Sequence, residues 1–104
     1  MRKLLLDRRG IPTGEEERSA GLNDELGENN FDDGFALTEE RTTFSVAGAN
    51  YKIRVELLAG YQYAQVFAPK DKDFIALEPM TAPTSALASG RGLRFVAPGE
   101  RFQA

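Results

Sequence analysis

Proton transfer in this chain falls to carboxylates, tyrosines and lysines. It contains no histidine and no cysteine. That removes imidazole bases, His-based triads, thiolate nucleophiles, disulfides and thiolate metal sites. One carboxylate stands out by its setting. In Phe74-Ile75-Ala76-Leu77-Glu78-Pro79-Met80-Thr81-Ala82-Pro83 an apolar run delivers Glu78, and the chain then turns through two prolines. A strand end is a stiff mount, and Pro79 restricts residue 78 to extended geometry. The apolar approach implies partial desolvation, which turns a carboxylate into a stronger base. The alternative is an ordinary strand-end charge, solvated or paired with an arginine. Asn30-Phe31-Asp32-Asp33-Gly34 sets two further carboxylates side by side. The same residues also read as a turn, with Asp33-Gly34 supplying the special backbone angles. Calcium binding here lacks the spacing of a calcium loop.

The elements that would carry these residues are mostly strands. The 104 residues allow one domain. A hydrophobic content of 41% and a charged content of 28% suit a globular chain. Residues 51–57 alternate, with Tyr51, Ile53, Val55 and Leu57 on one side and Lys52, Arg54 and Glu56 on the other. This period of two predicts a half-buried antiparallel strand. Further strands are expected at residues 4–6, 42–46, 61–67, 74–77 and 92–96, with the start of another at 101–104. Turn-forming residues separate them at 47–50, 59–60, 69–73 and 97–100. Residues 15–30, rich in carboxylates, read as a solvated loop, with a short helix over 15–18 as the alternative. The pattern predicts an all-β chain, an antiparallel β-sandwich. Tyr61 and Tyr63, on one strand face, are expected in the core. Arg91 and Arg94 are expected at the surface or in ion pairs, and Thr81 and Thr84 as caps of the turn after Glu78.

The formal charge of −3 gives no basic footprint for nucleic acid. No apolar run approaches the ~20 residues that span a bilayer. The basic start, Met1-Arg2-Lys3, leads into only three leucines before Asp7. That apolar run is too short for a signal peptide, so a cytoplasmic location is expected.

Five segments, in order, resemble the C-terminal part of the aldose 1-epimerase (galactose mutarotase) family. They are residues 7–14 (DRRGIPTG), 30–35 (NFDDGF), 63–69 (YAQVFAP), 74–87 (FIALEPMTAPTSAL) and 92–102 (GLRFVAPGERF). The resemblance implies a partial galactose mutarotase-like supersandwich with open edges, in which residues 1–104 form the C-terminal portion of one domain. It implies interconversion of the α and β anomers of a free aldohexose, with no cofactor and no metal. Glu78 matches the family's catalytic base, and Asp32 matches its sugar-binding aspartate. The family's arginine and two active-site histidines lie upstream of the matched segments. The expectation is therefore an isomerase fragment that is inactive alone for want of its acid. Two further readings stand beside it. One is a non-catalytic carbohydrate-binding or interaction module on the same scaffold. The other is a fragment that pairs with a missing N-terminal half, or with itself, through open strand edges.

Overall fold

In the computed structural model, which describes residues 1–104, almost all regular structure is antiparallel strand. The elements are β1 (Arg2–Leu6), β2 (Pro12–Arg18), β3 (Phe31–Ala36), β4 (Thr42–Ala47), β5 (Lys52–Leu57), β6 (Tyr63–Ala68), β7 (Ala76–Met80) and one short helix, α1 (Ala86–Ser89). A five-stranded sheet runs β2-β1-β3-β6-β7, and β4 and β5 form a separate hairpin. The hairpin packs on one face of the large sheet, giving a sandwich-like arrangement.

Residue alternation decides what each face carries. On β3 and β6 the pairs Phe31↔Ala68, Asp33↔Val66 and Phe35↔Ala64 share one face. Phe31, Phe35, Ala64, Val66 and Ala68 form the core there with Phe44 and Leu57 of the hairpin. Phe35 is fully buried, with its ring centroid 6.4 Å from that of Phe44. Asp33, the one carboxylate that β3 and β6 place on this face, meets the Lys3 ammonium at 2.6 Å. The opposite face of the same strands carries Asp32, Gly34, Gln65 and Phe67.

Several sequence expectations shift for physical reasons. Residues 15–18 are neither loop nor helix. They belong to β2, because Asp7 closes a tight turn that folds residues 12–18 back onto β1. The Asp7 carboxylate accepts from the backbone N–H of Arg9 at 2.8 Å and of Ile11 at 3.1 Å. Gly10 supplies the left-handed residue, with φ 77°. Residues 30–35 are not a turn; they enter a strand held on both sides. The strand expected at 74–77 begins two residues later and includes Glu78 and Pro79. Pro79 is tolerated because β7 is an edge. Residues 92–96 and 101–104 form no strand, since no neighbouring strand pairs with them. Arg91 and Arg94 do lie at the surface; Arg91 donates to the Thr13 carbonyl, and the Arg94 guanidinium lies 4.7 Å from the centre of the Phe102 ring. Tyr61 packs against the core, but Tyr63 lies on the opposite face of β6.

The burial is incomplete. On β5, Leu57 is buried and Val55 half-buried, but Ile53 and Tyr51 are exposed. The chain exposes 7771 Å², against about 5,800 Å² for a folded monomer of this mass. Its radius of gyration is 14.8 Å, against about 13 Å for a compact domain of this length.

Phe35→Ala removes the largest fully buried side chain and is expected to cost about 3–5 kcal/mol, read as a lower urea midpoint or a lost cooperative transition. The two backbone hydrogen bonds hold the Asp7 carboxyl below its ordinary value of 3.8. A lowered folded pKa gives stability that is present above the unfolded value and lost as pH falls through the folded one. Asp7→Asn is therefore expected to destabilise the chain at about pH 7 and to match the parent at about pH 2, measured by urea titration at both.

Candidate functional site

The carboxylates singled out by sequence converge on the face of the large sheet that the hairpin leaves bare. Gln65 is the centre of the arrangement. It sits opposite Gly34 on one side and Glu78 on the other. Two strand spacings, about 10 Å, thus separate β3 from β7, with β6 between them. The Gln65 amide Nε2 donates to Asp32 Oδ1 at 2.7 Å. Asp32, Gln65, Glu78 and Thr84 border one cleft of about 370 Å³, with Arg9 as its only cation. That volume lies within the range of small-molecule sites.

Each position has a structural cause. Asp32 reaches the cleft because β3 alternates, and its neighbour Asp33 is turned to the far side and held by Lys3. The structure thus separates two adjacent aspartates that the sequence leaves close to equivalent. Gly34 keeps ordinary strand angles; its role is space. A Cβ there would lie 3.0 Å from Gln65 Oε1 and 3.2 Å from Leu4 Cδ1. The absent side chain lets the amide lie flat across β3 toward Asp32. Thr84 arrives from the turn after β7, beside Ser85, the one non-glycine residue in the left-handed region, with φ 62°. Arg9 enters the rim from the β1–β2 turn, where Asp7 Oδ2 accepts from it at 3.2 Å. Its side chain is 71% exposed, so the ion pair adds little to stability.

Glu78 lies inside β7 rather than at a strand end, and its side chain is exposed. The partial desolvation expected from the apolar approach is not provided by this chain: that approach, through Leu77 and Ile75, faces the other side of the sheet. No three carboxylates converge as a metal-binding group. No helix is long and apolar enough to cross a membrane.

Gln65 was not singled out as a site residue by sequence. Its signal was present: a lone polar residue between Ala64 and Val66, both of which face the core. Period-two reading puts such a residue on the opposite face, but only the register with Gly34 and Glu78 shows what it joins. Chemically the cleft offers one free carboxylate, a second carboxylate oriented by an amide, a hydroxyl and a cation. This set suits a neutral, hydroxyl-rich ligand and one proton acceptor.

Gly34→Val forces Leu4 and Gln65 aside and is expected to cost about 1–3 kcal/mol, seen as a lower urea midpoint. It is also expected to break the Gln65–Asp32 hydrogen bond, seen in the Gln65 side-chain amide resonances.

Compared with protein-family models, curated proteins and solved structures, the chain matches none.

Proposed function

We propose that this face binds a free aldohexose and that Glu78 is the base of an aldose 1-epimerase-like reaction. The observation that carries the reading is that Asp32, hydrogen-bonded by Gln65, and Glu78, opposite Gln65, line one cleft across three adjacent strands. The five-segment sequence resemblance supports it independently.

Anomer exchange requires little apparatus. A base takes the proton of the C1 hydroxyl while an acid gives a proton to the ring oxygen. The bond from C1 to the ring oxygen breaks, leaving an aldehyde. Rotation about C1–C2 and closure on the other face give the second anomer, with both protons returned. In this proposal Glu78 accepts the C1 proton. Asp32, oriented by Gln65, accepts hydrogen bonds from sugar hydroxyls, and the free donor and acceptor of the Gln65 amide bind another. The acid that the resemblance implies is a histidine, and the chain has none, so in this reading the acid comes from outside these residues. Proton-transfer groups contribute ~10²–10⁴-fold each, so the chain alone is expected to be weak or inactive. Fold and activity are separable, and the exposed Glu78 equally suits a module that binds sugar without turning it over.

One experiment separates the two. The relaxation of optical rotation of fresh α-galactose or α-glucose is followed with the chain, in buffer with and without added imidazole. The enzyme reading expects an imidazole-dependent acceleration beyond that of imidazole itself, absent in Glu78→Gln. The binding-module reading expects saturable shifts of Asp32, Gln65 and Glu78 resonances with no acceleration. Absence of any saturable shift on this face defeats both. Fast turnover without imidazole, abolished by Glu78→Gln, would place the acid within this chain.

A further inference from the structure

The larger cleft lies on the other side of the sheet, and its walls differ in kind. About 690 Å³ in volume, it is bordered by five consecutive residues of β4, Thr43 to Ala47, and by no residue of β5. A strand that offers consecutive residues, with its hairpin partner set back, presents its edge and not its face. The floor is apolar: Phe31 and Val66 of β3 and β6 are already buried in the core, and Leu77 of β7, with Ile75 just before that strand, is left half-exposed. The loop after β2 forms the rim. Its Asp24 and Glu25 are the only charged side chains there, and neither is in an ion pair.

The four free strand edges of the molecule are not equivalent. Edges exposed to solvent are normally guarded by charge or proline. The β2 edge carries Glu15, Glu16 and Glu17, the β7 edge carries Pro79, and the β5 edge carries Lys52, Arg54 and Glu56. The β4 edge, Thr-Thr-Phe-Ser-Val-Ala, has no charge and no proline, and its residue types favour extended pairing. It is also the one edge that opens over a hydrophobic floor. The chain's exposed area exceeds that of a compact monomer by about 2,000 Å², more than the roughly 800 Å² that one partner buries in a standard interface.

We propose that the β4 edge is a docking site for an extended segment of a protein partner. The segment adds as a third strand to the β4–β5 hairpin, and its alternate apolar side chains cover the half-exposed Ile75 and Leu77. The partner's segment is flanked by lysine or arginine, because the rim is acidic and has no basic side chain. A second copy of this chain fits poorly: it would bring another acidic rim to the first, on a chain of net charge −3. Main-chain hydrogen bonds along β4 supply affinity, and the alternate pockets supply selectivity. The inference does not depend on chemistry at Glu78.

The test uses the full chain and a synthetic seven-residue peptide with Val at alternate positions, Thr between them and Lys at both ends. Expected are saturable binding and slowed amide exchange confined to residues 42–47. Replacing both Lys by Glu is expected to weaken binding, as is Asp24→Asn with Glu25→Gln, by about threefold for these rim charges. Peptides N-methylated at alternate positions discriminate further. One register of methylation should abolish binding and the other should leave it intact, since only one set of N–H groups faces β4. Equal binding of a peptide with the valines in one block, equal effects of the two methylation registers, or binding without protection of β4 overturns the proposal. Protection of β4 through self-association without peptide also overturns it, in favour of a second copy.

Discussion

The alternation of β3 is the constraint on which the rest of the structure depends. Six residues, Phe31 to Ala36, are paired to β6 along their whole length and to β1 at one end. On one side they place Phe31 and Phe35, which form the core with the hairpin. On the other they place Asp32 and Gly34, which shape the carboxylate cleft. A slip of one residue would exchange the two faces entirely. The buried rings fix the register, and the register fixes Asp32. The polar face is therefore positioned by apolar packing that it never touches.

Two local features let a strand with adjacent aspartates sit in mid-sheet. Asp33 points to the packed side, where an unpaired carboxylate would be costly. Lys3 meets it from β1 at 2.6 Å, and both side chains remain partly solvated. Asp32 points to the open side, where Gln65 accepts the role of neighbour. Gly34 then leaves room for the amide. Without the glycine, Leu4 and Gln65 would compete for the same space above β3.

The strand-rich character was legible in the sequence wherever polar and apolar residues alternate, as in residues 51–57. It failed where a long-range partner overrode local chemistry. Asn-Phe-Asp-Asp-Gly has the residues of a turn, yet flanking strands hold it extended. Glu15-Glu16-Glu17 has poor strand propensity, yet the Asp7 turn delivers it to the β1 edge. Residues 92–96 have the composition of a strand, but pairing, not composition, makes one, and no partner lies beside them. At the candidate site, Glu78 stands out in sequence by its setting, and Asp32 only by its match to the family segment. Gln65 stands out by neither, because its importance lies in a register across three strands. The exposure of Glu78, one of two readings open in sequence, is decided by the sheet: Leu77 and Glu78 are neighbours in sequence but face opposite sides of it.

That opposition ties the two clefts together. Phe31 and Asp32, Val66 and Gln65, and Leu77 and Glu78 are adjacent residues, so each strand contributes one member to either side. Strand backbones that lack cover on one face fluctuate more, because few apolar contacts oppose local opening. A segment seated on Ile75 and Leu77 would add contacts to β7, the backbone that carries Glu78. It would stiffen that strand without touching the carboxylate, and a stiff strand loses less freedom when it binds a ligand. By reciprocity, a ligand held across β3, β6 and β7 would favour the strand on the far side by the same free energy. The sheet is then not merely a mount with a site on one face, but the shared element through which cover and chemistry bear on each other.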